Sequence, residues 1–260
     1  MNPEFVVGDI DVAEICIVSF FLFFAGLVFY LRREDRREGY PLEADSTGAI
    51  EAVGANWHPT PKTFILPHGG GVVYKPNDDR DRRELKARRI AVWPGAPIEP
   101  VGDPMQAEVG PGSYAMRSDK PDVTMDGRNR IVPMRLSHGF EVSPRDPDPR
   151  GMPVVAARGG VAGVVRELWV DQAEMLIRYL EVELAADIAP GGRRVLVPMT
   201  MAEVQGRRAI KVAAVTAQQF AGVPTTASPE SITRLEEEKV CAYFGAGYLY
   251  ATPDRLEPLL

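Results

Sequence analysis

The side chains best suited to acid–base or metal chemistry are few in this chain and lie far apart. There are three histidines, His58, His68 and His138, and two cysteines, Cys16 and Cys241. No histidine has a second one at the short spacing that helical metal sites need. Two thiols cannot supply a four-cysteine zinc site or a disulfide framework. The sequence therefore predicts that the chain is not an enzyme and holds no metal or cofactor by itself.

One glycine-rich stretch, Pro67–Gly71, invites comparison with a phosphate-binding loop. It lacks the Lys-Ser/Thr pair and the following helix of that motif, so an ordinary turn is favoured. No nucleophile elbow is present either. The function must therefore be sought in the organisation of the chain.

Composition limits the class of protein. The 260 residues carry a formal net charge of −6, and 45% of them are hydrophobic. This balance excludes a coiled coil and a long disordered chain, and the length predicts one or two domains. An acidic chain without a long Lys/Arg run argues against a nucleic-acid partner. The 24 glycines and 23 prolines predict many turns and few long helices.

The exception is an apolar segment near the N-terminus. Residues Ile15–Leu31 are seventeen positions without a charge. Extended back to Val12, the segment reaches about 20 residues, or about 30 Å of helix, which matches the hydrocarbon core of a bilayer. We therefore predict a single transmembrane helix over 12–31, preceded by a short segment, 1–11.

The flanking charges predict the orientation of this helix. Arginines follow it and acids precede it, namely Arg32, Arg33, Arg36 and Arg37 against Glu4, Asp9, Asp11 and Glu14. The positive-inside rule places the N-terminus in the periplasm and the bulk of the chain in the cytoplasm. A cleaved signal peptide would have the opposite polarity and is disfavoured.

Residues 32–105 are predicted to form a loop-rich surface segment. Prolines recur from Pro41 onward, and the short apolar runs Thr63–Leu66 and Gly71–Tyr74 are typical of strands. The charged piece Asp78–Arg89 is read as a solvated surface with at most one or two helical turns, in preference to a lipid-headgroup site. The aromatic and aliphatic content favours an ordered segment supported by a partner surface over a disordered linker.

Residues 106–260 change in character and predict a mainly-β domain. Four short segments rich in β-branched residues are separated by turn signals: Val161–Val170, Leu176–Leu184, Arg193–Pro198 and Ala209–Val215. Their even spacing favours a small antiparallel barrel or sandwich. Ser228-Pro229-Glu230 then predicts the start of a C-terminal helix that ends near Gly245. The fold class expected is thus one transmembrane helix, a loop-rich connection and a cytoplasmic β-barrel domain with a C-terminal helix.

Several collinear segments resemble the H subunit of the purple-bacterial photosynthetic reaction centre. They are Arg37–Leu42, Pro61–Gly69, Gly102–Met105, Val109–Pro111, Leu180–Leu184, Phe220–Thr225 and Leu235–Cys241. The resemblance implies a PRC-barrel domain in the bacterial inner (photosynthetic) membrane, with the helix beside the L and M subunits and in contact with membrane lipid. It also implies a larger complex, with light-harvesting antenna and cytochrome subunits as further possible neighbours.

In such complexes L and M hold bacteriochlorophyll, bacteriopheophytin, quinones and the non-haem iron. The H subunit stabilises that core, caps the quinone sites and helps to deliver protons to the secondary quinone. By position, Asp171, Glu174 and Arg178 match the family's ionisable groups near that quinone. Judged by residue type alone, the two acids would be ordinary solvated acids of a turn.

The stretch where protons first enter such complexes differs in this chain. Some members of the family carry an Asp followed by two histidines there, whereas this chain has Asp122, Asp126 and Arg128 and no histidine. The two aspartates can still gather protons, but Arg128 is a permanent cation. The alternative reading of the whole chain is a membrane-tethered PRC-barrel adaptor of a non-photosynthetic complex, which would lack bacteriochlorophyll absorption.

Overall fold

A computed structural model describes residues 5–7, 10–39, 42, 49, 59–77, 79, 81–93 and 95–256. The chain separates into two compact units. One unit contains the residues up to Asp81 together with Val92–Ala96, and the other contains Arg82–Ala91 and the residues from Pro97 onward. Predictions that involve Tyr40, Pro41 and the region around Trp57 lie outside the described residues.

The first unit is built on the predicted apolar helix. Strands β1 (Phe5–Val7) and β2 (Ile10–Asp11) pair antiparallel and lead into helix α1 (Val12–Glu34). The Asp11 side chain caps the helix by accepting a hydrogen bond from the Glu14 amide at 2.8 Å. None of the 23 helical residues is buried within the chain, and the helix is long and apolar enough to span a membrane. The helix continues three residues beyond the predicted end at Leu31.

A β-hairpin follows in the same unit, as predicted. Strand β3 (Lys62–Leu66) pairs antiparallel with β4 (Gly71–Lys75), and a turn over Pro67–Gly70 joins them. The glycine-rich stretch is therefore a turn. Arg37 donates to the Lys75 carbonyl at 2.9 Å, and Lys62 forms an ion pair with Glu34, so the hairpin base is fixed to the C-terminal end of α1.

The second unit begins with a small β-hairpin that includes the end of the charged piece Asp78–Arg89. Strand β5 (Ala87–Arg89) pairs antiparallel with β6 (Ile98–Pro100). Arg88 and Glu99 face each other across the hairpin at 2.6 Å. The prediction of helical turns at this end of the charged piece is wrong. The strand across the hairpin supplies hydrogen-bond partners for its backbone and an acid for Arg88.

Seven strands form the main sheet. They are β7 (Ile131–Pro133), β8 (Pro153–Ala157), β9 (Val161–Asp171), β10 (Leu176–Leu184), β11 (Arg194–Pro198), β12 (Glu203–Gln205) and β13 (Ala209–Thr216). The order is β11-β10-β9-β8-β13-β12, and β7 also pairs with β9. The four predicted strands are confirmed to within one residue at each end.

Two details of the sheet differ from a closed antiparallel barrel. Strand β13 runs parallel to β8, with Ile210 opposite Val154. Among the described residues the hydrogen-bonded order is also open, with β11 and β12 at its edges. The parallel pair arises because β13 reaches β8 only after the β12 hairpin has reversed the chain. The mainly-β fold class is confirmed, with a mixed sheet in place of a wholly antiparallel one.

Aromatic and aliphatic side chains fill the core between the sheet and a C-terminal helix, α2 (Arg234–Tyr250). Trp169, Phe220 and Phe244 are the largest fully buried side chains, and the two phenylalanine rings meet edge to face at 5.8 Å. Burial of rings from β9 and α2 in one cluster is what attaches the helix to the sheet.

The start and end of α2 differ from the sequence prediction. The N-cap is Thr233, which forms a capping box with Glu236, whereas Ser228 accepts a hydrogen bond from the Glu230 amide in a local turn. The helix also runs through Gly245. A Cβ at that position would lie 2.6 Å from the Pro111 carbonyl oxygen, so this glycine permits a close approach and does not end the helix.

Candidate functional site: a carboxylate–arginine cluster and a neighbouring cleft

The turn between β9 and β10 carries the two acids that the sequence analysis selected. Asp171 is the last residue of β9 and is fully buried, and its Oδ1 accepts hydrogen bonds from the amides of Ala173 at 2.9 Å and Glu174 at 3.0 Å. Its carboxylate therefore shapes the turn that presents Glu174. The Glu174 side chain is 49% exposed, so it is the member of the pair that reaches solvent.

Arg130 joins these acids to each other, and sequence analysis did not select it. Its Nε donates to both oxygens of Asp171, at 3.0 and 2.9 Å, and its Nη2 donates to Glu174 Oε1. Its Nη1 lies 3.4 Å from Asp122 Oδ2. We call Arg130, Asp122, Asp171 and Glu174 the Arg130 cluster. The pairing of β7 with β9, which sets Ile131 opposite Asp171, brings Arg130 to the turn.

Arginines keep the inner acids of this cluster ionised. Burial opposes ionisation of Asp171, but hydrogen bonds from Arg130 and from the turn amides outweigh it and lower the pKa of Asp171. The hydrogen bonds that Arg130 donates to Asp171 and to Glu174 raise the pKa of Arg130. Burial likewise opposes ionisation of Asp122, and Arg234 at 2.8 Å helps to lower the pKa of Asp122 below its usual value.

Of the two remaining predicted site residues, Arg178 contacts the cluster and Asp126 does not. Arg178 Nη1 is 3.6 Å from Glu174 Oε2, so the structure brings that predicted pair together. Asp126 bonds instead within its own turn, to Thr124 Oγ1 at 2.5 Å and to Arg128 Nε at 2.6 Å. These two hydrogen bonds lower the pKa of Asp126. Its side chain is 58% exposed, and in the described part of the chain it has no ion pair with Arg130.

A cleft of about 370 Å³ opens beside the cluster, between β10 and α2. Arg178 and Arg234, which pair with cluster acids, also line this cleft, together with Tyr179, Glu237 and Cys241 among others. We call it the α2 cleft. Sequence analysis missed Glu237, because its contact with Tyr179 joins a strand to a helix 58 residues later in the chain.

The α2 cleft contains ionisable groups whose pKa values burial raises. Tyr179 donates a hydrogen bond to Glu237 Oε2 at 2.9 Å. Burial is the largest cause of a raised pKa at Glu237, at Tyr179 and at Cys241. The α2 cleft therefore differs chemically from the Arg130 cluster, in which Asp171 and Asp122 are held ionised. Within the described residues, no group of three or more His, Cys, Asp and Glu is arranged to hold a metal ion.

In the described part of the chain, these features combine one apolar helix long enough to span a membrane with a mainly-β domain. Comparison with known protein families matches residues 4–136 to the family described as photosynthetic reaction centre, H-chain N-terminal region. Residues 143–219 match the PRC-barrel domain. The first match covers more than half of the chain, and the chain belongs to the photosynthetic reaction centre H-chain family.

Family membership settles the coarse function. The chain is a structural subunit of a photosynthetic reaction centre, associated with the L and M subunits in a complex that carries cofactors. Membership of this family confirms the resemblance found in the sequence, and it disfavours the alternative of an adaptor in a non-photosynthetic complex. The apolar helix is its membrane anchor.

Proposed function

We propose that this chain stabilises the L and M core, caps the quinone sites on the cytoplasmic side and contributes to proton transfer to the secondary quinone. The observation that carries the proposal is Glu174, a half-exposed carboxyl group on a turn fixed by Arg130 and Asp171. A group that relays protons must exchange them with solvent while holding one position. Glu174 combines both properties.

Quinone chemistry explains why a cap needs such a group. Reduction of a quinone to a quinol consumes two electrons and two protons, and the protons must reach a buried pocket. In this proposal Glu174 passes protons inward, Arg178 lies beside it at 3.6 Å, and Asp171 holds the turn. Asp122 and Asp126 gather protons at the surface, although arginines hold both as carboxylates.

The proposed function also implies how the chain is placed in the membrane and which subunits surround it. The N-terminus lies in the periplasm, and α1 packs beside L and M and contacts membrane lipid of the bacterial inner membrane. L and M hold the bacteriochlorophyll, bacteriopheophytin, quinones and non-haem iron. Antenna and cytochrome subunits are further neighbours in the proposed complex. The acids that precede α1 and the arginines that follow it support this orientation.

The experiment is flash-induced electron transfer in the complex purified from its native membrane. The substitution Glu174→Gln should slow the second, proton-coupled electron transfer to the secondary quinone and leave primary charge separation unchanged. The matched control is Glu203→Gln, which removes an exposed strand carboxyl group whose partner is Lys211 at 3.6 Å. Second-electron kinetics in the Glu174 variant that equal those of the control across pH would remove Glu174 from the path.

A further inference from the structure

The α2 cleft offers a way for protons to reach Glu174 that does not pass through Asp126. Its mouth is open to solvent, and its wall carries Glu237, a partly buried carboxyl group on α2. Arg178 links the cleft to the relay turn, because it lines the cleft and lies 3.6 Å from Glu174. A carboxyl group in the wall of an open cleft, next to an arginine that pairs with a second carboxyl group, is an arrangement through which water can carry protons from one to the other.

We propose that Glu237 is a proton-loading residue at the α2 cleft and forms a second inlet to the relay at Glu174. The inference rests on the proposed function, since it gives Glu174 a second source of protons. In the step, the Glu237 carboxylate accepts a proton from hydronium at the cleft mouth and becomes a carboxylic acid. It then releases that proton through solvent to the Glu174 carboxylate, and the Glu237 carboxylate is restored.

The surroundings of Glu237 favour its protonated form over that of an ordinary exposed glutamate. The groups that face it are Tyr179 and Arg178 from β10, Cys241, Arg234 and Glu238 from α2, and Arg117, Asp122 and Asp171 from other parts of the unit. Burial raises the pKa of Glu237, and the charges of Asp122 and Asp171 add to that effect. The Tyr179 hydrogen bond and Arg178 act in the opposite direction without overcoming burial.

The contrast with Asp126 explains why a second inlet matters in this chain. Asp126 is held as a carboxylate by Thr124 and Arg128, which lower its pKa, and no histidine lies in the loop Asp122–Arg130. A lowered pKa shortens the time for which a carboxyl group holds a proton, and a raised pKa lengthens it. Glu237 therefore supplies the loadable group that this loop lacks.

The first test is the second electron transfer in intact complexes carrying Glu237→Gln. We expect it to slow by about fivefold above neutral pH, less than the ~10²-fold loss typical of a sole general acid, because Asp126 still collects protons. The matched control is Glu238→Gln, which removes the next carboxyl group of the same cleft, paired with Arg117 at 3.2 Å. Equal rates in the two variants would overturn the proposal.

A second measurement does not depend on turnover. Infrared pH titration of the dark complex should show a carboxylic acid C=O band that persists above the usual glutamate range of about pH 4.3. The band should vanish in Glu237→Gln, and Tyr179→Phe should move its titration to higher pH, because the lost hydrogen bond favours the carboxylate. A band unaffected by both substitutions would overturn the assignment even if one variant folds poorly.

The two proposals fail in distinguishable ways. If Glu174→Gln slows the second electron transfer and Glu237→Gln does not, the relay stands and the inlet at the α2 cleft is wrong. If neither substitution changes the rate, both are wrong. If Glu237→Gln alone slows the reaction, the transfer from Glu237 to Glu174 is wrong.

Discussion

The guanidinium group of Arg130 donates to both carboxylate oxygens of Asp171, at 3.0 and 2.9 Å, across 41 residues of sequence. This ion pair fixes the conformation of the turn after β9. Asp171 is buried, so its charge is stable only with Arg130 beside it, and its remaining acceptor capacity fixes the amides of Ala173 and Glu174. The pair is therefore the support on which the Glu174 carboxyl group is presented.

Removal of Arg130 should loosen that support. With Arg130→Gln we expect the free energy of unfolding of the β-domain to fall by about 2–3 kcal/mol, somewhat below the ~3–5 kcal/mol for a fully buried pair, because Arg130 is a quarter exposed. Hydrogen exchange should accelerate at the amides of Ala173 and Glu174. The control, Arg128→Gln, removes a solvent-exposed arginine two residues away and should leave exchange at the turn unchanged.

The lowered pKa of Asp171 predicts an acid-dependent loss of order in the same turn. The folded-state pKa lies below the unfolded value of about 3.9, so the stabilisation is present above that value and is lost as pH falls through the folded-state pKa. Fluorescence of Trp169, which lies in the same strand, should report the transition. In Asp171→Asn this component should be absent; a transition that remained unchanged would assign it to other acids.

Glu237 should contribute to stability with the opposite sign. Its folded-state pKa is raised above the unfolded value, so its contribution is fully present below about pH 4.3 and is lost as pH rises through the folded-state pKa. We expect Glu237→Gln to flatten the decline in stability over that interval, measured by urea denaturation at several pH values. Glu238→Gln serves again as the control, and an equal flattening there would contradict the assignment.

The sequence predicted those elements whose signals are local. Strand β10 was predicted residue for residue, because its β-branched and apolar residues, the turn signals that flank it and the alternation within Leu180–Leu184 are all local signals. The same alternation did not reveal that Glu181 is buried on the opposite face, where it accepts a hydrogen bond from the Trp169 indole at 2.9 Å. That contact depends on which strand lies alongside.

The parts that sequence analysis missed depend on pairings between distant segments. Arg130 reaches Asp171 only because β7 pairs with β9, and no spacing rule connects residues 41 positions apart. The sequence analysis also placed the start of α2 too early, at Ser228 and not at Thr233, for a related reason. Ser228-Pro229-Glu230 is a good local signal for a helix start, but Ile232 is buried in the core, and the chain turns into the helix only at Thr233.

The capping box at Thr233 gives a direct test of where α2 begins. Thr233→Ala removes the side chain that accepts from the Glu236 amide at 3.1 Å, and we expect a loss of about 1 kcal/mol in the free energy of unfolding. Ser228→Ala should change stability by only a few tenths of that amount, since Ser228 serves a turn before the helix. Thermal denaturation of the two variants, followed by circular dichroism, decides between the two start positions.

The loop Asp122–Arg130 predicts how the complex responds to divalent metals. Imidazole nitrogen is among the preferred ligands of Zn²⁺ and Cd²⁺, and this loop offers carboxylates already paired with arginines and no histidine. We therefore expect weaker inhibition of the proton-coupled electron transfer by these metals than in family members that carry histidines there. The substitution Arg128→His places an imidazole in the exposed turn next to Asp126 and removes the arginine that pairs with that carboxylate. This substitution should lower the half-inhibiting Zn²⁺ concentration by about tenfold, the lower end of the change in metal affinity that a single residue at a metal site typically causes. Inhibition of the unmodified complex at the same metal concentration as a histidine-bearing complex would show that the histidines do not set the sensitivity.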